Sequence, residues 1–157
     1  MSDENRLVDV ALDEASLPPV TPNIEHDRRV ALFDLKEANT FAVVGETRGP
    51  YVLTLGVADG RLVFDVADAD GARVRAHHMA LSPLRKLIKD YAMLCESYYA
   101  AIRDAPPMQI EAIDMGRRAL HNDAAEALIK ALEGKFRFDL DTSRRLFTLI
   151  FAMHQRG

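Results

Sequence analysis

The stretch Tyr51–Val66, "YVLTLGVADGRLVFDV", alternates apolar and polar residues on both sides of a short turn. Tyr51, Leu53, Leu55 and Val57 fall on one side of the first half, and Leu62, Phe64 and Val66 on one side of the second. Successive side chains of a strand point to opposite faces, so this period of two predicts two half-buried strands. "ADG" at Ala58–Gly60 supplies the hairpin turn between them. The alternation extends outward. "TFAVV" from Thr40 and the glycine-rich "GETRGP" precede the pair, while "DADGA" and a strand-like "RVRAHHMAL" follow it. The segment 40–81 therefore predicts an antiparallel meander of three or four strands, with one face packed and one face wet.

Helical spacing dominates on either side. After a short alternating segment, "RLVDVAL" at residues 6–12, the prolines of "SLPPVTPN" interrupt regular structure. Thr21 followed by Pro22 predicts an N-cap with proline in the first turn. The helix should run to about Ala38, with Ile24, Ala31, Leu32 and Leu35 apolar. Ser82–Pro83 predicts a second start of the same type. Leu84, Leu87, Ile88, Tyr91, Leu94, Cys95, Tyr98 and Ile102 then form an amphipathic stripe. "DAPP" at Asp104–Pro107 separates it from a helix running to about Leu132, with Gly134 as the expected C-cap. "KFRFD" suits a short strand or a linker. Asp141 or Thr142 should cap a last helix that reaches about Gln155. That helix is apolar on nearly every side, which predicts a place in the core or at an interface, with a homodimer through it as one expectation.

The sum is an α+β fold: a small antiparallel meander with helices packed on one face, and a helical C-terminal half. A chain of 157 residues suits one domain, sheet-rich over 1–81 and helical over 82–157. At that length about two thirds of the unfolded surface becomes buried, so no disulfide or metal staple is required. A composition 48% hydrophobic and 28% charged is that of a globular protein. The net charge of −4 argues against a general nucleic-acid binder. Residues 1–81 hold 8 Lys/Arg against 14 Asp/Glu, and residues 82–157 hold 12 against 10, so any basic face lies in the helical half. The acidic start "MSDENR" lacks the basic and apolar regions of a signal peptide. The longest apolar run, Leu146–Met153, is too short to cross a bilayer. With a single cysteine, the expectation is a cytoplasmic protein without membrane contact, cofactor or metal.

The chemistry-bearing residues gather at Ile113–Asn122, "IDMGRRALHN". Ile110, Ile113, Leu120, Ala124 and Leu128 make the apolar stripe of that helix. Arg117, four after Ile113 and three before Leu120, lies on the stripe and needs a partner once buried. Asp114, Arg118 and His121 widen the polar patch, and Gly116 lets a backbone or ligand come close. The patch suits two uses. In one, Arg117, Arg118 and His121, oriented by Asp114, hold a phosphate or carboxylate, with Glu96 of "CESYY" beside them. In the other, Arg117 is locked in an internal salt bridge with Glu96 or Asp90.

Other arrangements are weaker. His77 and His78 are adjacent on a strand and cannot chelate one ion together. Cys95 and His121 have the residue types of a thiol enzyme, but Cys95 falls on an apolar stripe, where cysteine behaves as a small hydrophobe. "GETRGP" lacks the ending and following helix of a phosphate-binding loop, and no catalytic motif is present. Lys130, Lys135, Arg137, Arg144 and Arg145 are interspersed with acids, as on a solvated surface.

Taken together, "KDYAMLCESYYAAIRDAPPMQIEAIDMGRRALHNDAAEAL", "DTSRRLFTLIF", "NIEHDRRVALFDLKEANTF" and "RLVFDV" resemble uncharacterised protein family 0262 of alphaproteobacteria over nearly the whole chain. The resemblance implies a cytoplasmic bacterial protein and brings no activity, ligand or catalytic residue. Three functions follow as expectations. First is a non-catalytic binding or regulatory protein with an unidentified protein partner. Second is a small-anion or phosphoester site, enzymatic or not. Last is an RNA- or ribosome-associated factor using the C-terminal basic residues.

Overall fold

A strand, a helix and a second strand open the chain and set the sheet. The computed structural model describes residues 4–154. Strand β1 (Leu7–Leu12) leads through a single 3-10 turn into helix α1 (Pro22–Glu37), then the short β2 (Ala42–Val43) and the strands β3 (Tyr51–Ala58), β4 (Arg61–Asp68) and β5 (Arg73–Met79). Helices α2 (Ser82–Asp104) and α3 (Pro107–Leu132), the short β6 (Phe136–Arg137) and α4 (Leu140–Met153) complete it. The end of the last helix expected near Gln155 lies outside the described residues.

The fold is α+β, with one correction to the sheet. β3, β4 and β5 form the expected antiparallel meander, and β1 joins β3 in parallel, so the sheet is mixed, in the order β1-β3-β4-β5. A parallel neighbour needs a crossover connection, and α1 provides it. Asn39, just past α1, locks β1 in place: its side chain accepts from Leu7 N at 2.7 Å and donates to Leu7 O at 2.9 Å. The segment "TFAVV" does not enter the main sheet. Its Ala42 and Val43 pair with Arg137 and Phe136 as a separate two-stranded ribbon.

The period of two decides the core. Tyr51, Leu53, Leu55, Leu62, Phe64 and Val66 are all fully buried on the face that the helices cover. They meet Ala31 and Leu35 of α1, Leu128 and Leu132 of α3, and Leu146, Leu149 and Ile150 of α4 in one cluster. The over-apolar last helix is central to this core. Leu146, Phe147, Leu149, Ile150 and Ala152 are at most 1% exposed, so the chain itself covers the faces that suggested an interface.

Three helix ends differ from the sequence expectation. Thr21 caps α1 as expected, accepting from Ile24 N. Ser82 is instead the first residue of α2, following Leu81, and its hydroxyl caps nothing. α3 ends on Glu133 in right-handed helical geometry, and Gly134 does not adopt the left-handed cap. At α4 the cap is Asp139, which accepts from Thr142 N at 2.8 Å, while the Thr142 hydroxyl accepts from Thr40 N at 3.0 Å. A buried Thr142 serves a residue 102 positions away, which no local pattern could signal.

Candidate functional site

Four helices bring polar side chains to one cleft of about 350 Å³. α1 contributes His26, Asp27, Val30, Ala31 and Asp34, the face made by positions one, four, five and eight apart. α2 contributes Tyr91. α3 brings Arg117, Arg118 and His121, and α4 brings Arg144, Arg145 and Thr148. The two helices thus carry the same spacing, Arg-Arg-x-x-His in "RRALH" and Arg-Arg-x-x-Thr in "RRLFT". Residues at i, i+1 and i+4 share a helix face, so each triplet faces the cleft as a unit.

The triplets are joined at their ends. His121 Nε2 lies 2.9 Å from Thr148 Oγ1, and the Thr148 hydroxyl donates to Arg144 O at 3.2 Å. A hydroxyl has one proton to give, so its oxygen accepts from His121, which places the imidazole proton on Nε2. Tyr91 and Phe147 meet the imidazole edge-on, each with its centroid 5.3 Å away. Burial, with help from Arg144 and Arg117, lowers the His121 pKa to about 4, so the ring is neutral at pH 7.

Arg117 is the floor of the cleft. Its Nε and Nη2 donate to Asp114 Oδ1 at 3.2 and 2.7 Å, and its guanidinium stands 4.2 Å over the Tyr98 ring. The partners expected from sequence, Glu96 and Asp90, are not used. Glu96 is exposed and away from the cleft lining, and Asp90 pairs with Lys86 at 2.5 Å. The reason is geometric: Asp114 is one turn earlier on the same helix and reaches Arg117 without crossing between helices. Asp114 also forms an ion pair with Arg118, its other oxygen 3.0 Å from Nε. Asp114 thus pairs with both arginines.

The remaining cations are loosely held. Arg118 is 74% exposed at its side chain and meets Asp114 through Nε. Arg144 Nη1 is 3.5 Å from Asp141, and Arg145 Nε is 4.0 Å from Asp34. On the opposite wall Asp27 is exposed, and partial desolvation raises its carboxyl pKa, with His26 and Arg117 opposing that rise. A larger hollow of about 700 Å³ lies beneath residues 17–20, but its Arg28 is already held by both Glu14 and Glu25.

The other sequence candidates separate. Cys95 is half-buried near Tyr91 and Arg117, and burial pushes its thiol up. A thiol held protonated in this way is a poor nucleophile. His77 faces the core side of β5, edge-on to Phe136, while His78 is exposed on the other side. Of the C-terminal basic residues, Arg144 and Arg145 belong to the cleft, whereas Lys135 and Arg137 sit at the β6 ribbon. Sequence reasoning missed His26, Asp27 and Asp34 altogether and placed Arg144 and Arg145 on a solvated surface. The repeated Arg-Arg-x-x spacing was the available signal for the latter pair.

An α+β protein with an arginine-lined cleft between packed helices is the class that this geometry defines. The chain belongs to the uncharacterised protein family UPF0262, whose model matches residues 4–156. A UPF0262 protein of Methylobacterium radiotolerans is 56% identical over 153 residues, covering 98% of this chain and 95% of the relative. One from Rhizobium meliloti is 52% identical, covering 97% and 96%. One from Dinoroseobacter shibae is 50% identical, covering 96% and 98%. No solved structure matches the chain. Among the described residues, no helix is long and apolar enough to cross a membrane.

Proposed function

We propose that the protein is a non-catalytic binding protein, and that the cleft between α1, α3 and α4 holds a small molecule bearing a phosphate or carboxylate. The observation that carries this reading is that Arg118 and Arg144, on packed helices, both line the cleft while their side chains remain 74% and 45% exposed. Guanidinium groups grip carboxylate and phosphate in a two-pronged geometry that suits such a cleft. The non-catalytic part is supported by the two candidate reactive groups. His121 is neutral with its Nε2 proton committed to Thr148, and Cys95 is held as the thiol. A cytoplasmic location is consistent with the free cysteine and is part of the same proposal.

The test is a thermal-shift screen against phosphate, nucleotides, small carboxylates and RNA, with Arg118→Gln and Arg144→Gln alongside. A ligand that binds only the folded form raises Tm by mass action. The expected result is a rise with an anionic small molecule that both variants lose while remaining folded. No rise with any anion would sink the proposal. A rise with RNA alone, lost at high salt, would favour the nucleic-acid alternative.

One observation favours a protein partner as a second use of the molecule. Met93, Ile102, Met108 and Met115 are exposed on the α2–α3 hairpin, where methionine-rich surface adapts readily to a partner. A homodimer would use this surface in preference to the buried last helix. Light scattering across a range of concentrations tests it, and a mass fixed at the monomer value would remove the dimer.

A further inference from the structure

We infer that the outer face of the α2–α3 hairpin packs on the same face of a second copy of the chain, the two hairpins closing into an antiparallel four-helix bundle. This rests on the protein-partner reading of the hairpin and adds which partner it takes and in which arrangement. The hairpin outruns the domain. Among the described residues from Glu96 to Asp123 only Ala101 is buried, and none of that span belongs to either hydrophobic cluster of the core. Short helices are marginal in water unless an apolar face is packed. Two helices alone bury the seam between them and leave the outer face uncovered, whereas a bundle of four covers it.

That outer face is apolar. Met93 and Leu94 of α2 and Leu120 of α3 line its shallow groove, and Gly116 leaves room along the seam. Met93 is 58% exposed, and Met108 and Met115, on the α3 side, are 84% and 65% exposed. The two acids of the groove, Asp90 and Asp123, sit at its end nearest the domain, and Lys86 pairs with Asp90. The methionine patch beyond them gains from burial against a like patch.

Charge on the rims selects the partner and its direction. Lys89 and Arg103 lie on the edge of α2 away from α3, two heptads apart. Glu111 and Glu126 lie on the edge of α3 away from α2, and all four residues are exposed. The groove sets the relative heights, since residues 90–97 of α2 face residues 123–116 of α3 across it. On that count Arg103 is level with Glu111, and Lys89 with Glu126, within about half a turn. Inside one hairpin these edges are on opposite sides and do not meet. A two-fold axis along the hairpin lays α2 of one copy over α3 of the other. Each Arg103 then meets Glu111 of the second copy, and each Lys89 meets its Glu126. A copy turned end for end would set Lys89 beside Arg103 and Glu111 beside Glu126, so like charges oppose it. A foreign helix of uniform sign would match one edge and oppose the other.

Sedimentation equilibrium of the full chain over a range of concentrations tests this. The expected result is a dimer that Met115→Lys weakens by at least about ten-fold while the variant stays folded. Arg103→Glu alone should weaken it as well. Arg103→Glu combined with Glu111→Arg should restore it, because the swap rebuilds each pair between copies and none within one. A mass fixed at the monomer value overturns the bundle together with any dimer through this surface. A dimer indifferent to Met115→Lys shows that the copies meet elsewhere and also overturns the bundle. A dimer that Met115→Lys weakens, but that the charge reversal leaves unchanged or the swap fails to restore, overturns the arrangement alone and leaves the surface as the interface.

Discussion

His121 of α3 and Thr148 of α4 are joined side chain to side chain at 2.9 Å, and this bond ties together two helix faces with the same arginine spacing. Arg117 and Arg118 precede the histidine as Arg144 and Arg145 precede the threonine. The bond therefore sets how far apart the two arginine pairs stand. Replacing Thr148 with valine keeps the shape and removes the acceptor of the imidazole proton. We expect a loss of about 1–2 kcal/mol in urea unfolding. A double-mutant cycle with His121→Gln should show coupling of about 0.5–1.5 kcal/mol. Additive effects would mean that the two side chains are merely neighbours.

The same histidine predicts a pH dependence. Its folded pKa of about 4 lies below the ordinary 6.5, because burial and the nearby Arg144 and Arg117 disfavour the charged ring. Between those values the unfolded chain binds a proton that the folded chain does not. Stability therefore rises with pH across this window and falls as pH drops from about 6.5 toward 4. The contribution is about 3 kcal/mol across the full window. Urea unfolding at a series of pH values should show that slope in the native chain and a flatter one in His121→Gln. Equal slopes would count against a buried neutral ring.

Asp114 holds two arginines of unequal burial, and its removal should separate their roles. The side chain of Arg117 is 22% exposed and that of Arg118 74%. Asp114→Ala leaves the half-buried Arg117 without its counter-charge, which should cost about 1–3 kcal/mol. Arg118→Ala should change stability by no more than about 0.5 kcal/mol, since an exposed ion pair contributes little. Thermal melts of the two variants are the check. An Arg118→Ala variant that melts as low as Asp114→Ala would show that both arginines are structural.

Gly116 is a glycine within a helix that the chain's own packing does not require. A Cβ built there meets nothing within 4 Å. Gly116→Ala should therefore stabilise the protein by about 1 kcal/mol, the difference in helix propensity. The position lines a shallow groove with Met93, Leu94 and Leu120 between α2 and α3. A variant that melts lower than the native chain would show that the groove is closed in solution.

The core offers the largest expected effect. Leu149 is fully buried in the central helix, in the cluster that joins sheet and helices. Leu149→Ala should cost about 2–5 kcal/mol, from lost burial and the cavity left behind. Chemical denaturation measures it. A cost under 1 kcal/mol would mean that α4 is less central than its burial shows.

Much of this molecule was legible in one dimension because the information is local. The alternation from Tyr51 to Val66 marks two strands and the face they bury, since a strand's side chains repeat every two residues. The first helix runs from Pro22 to Glu37, within a residue of its expected end, because a threonine cap and a first-turn proline sit at its start. The patch at Asp114, Arg117, Arg118 and His121 was visible because its members lie on one helix, and three of the four do line the cleft. Asp114 stands behind them as the orienting group. Glu96 did not join because a residue on a neighbouring helix reaches the patch only if the packing angle allows it.

What the residues determined by themselves was the set of elements and the apolar face of each, with one polar cluster, all consequences of contacts within about four residues. Only the tertiary structure decided that β1 lies parallel to β3, that Arg117 turns to Asp114, and that the arginines of α4 face those of α3. It also decided that Asp27 and Asp34 stand opposite them. Those outcomes depend on how elements far apart in the chain pack together, as in the His121–Thr148 bond across 27 residues. Packing is set by the fit of whole surfaces around a shared core, and no short stretch of sequence carries that fit.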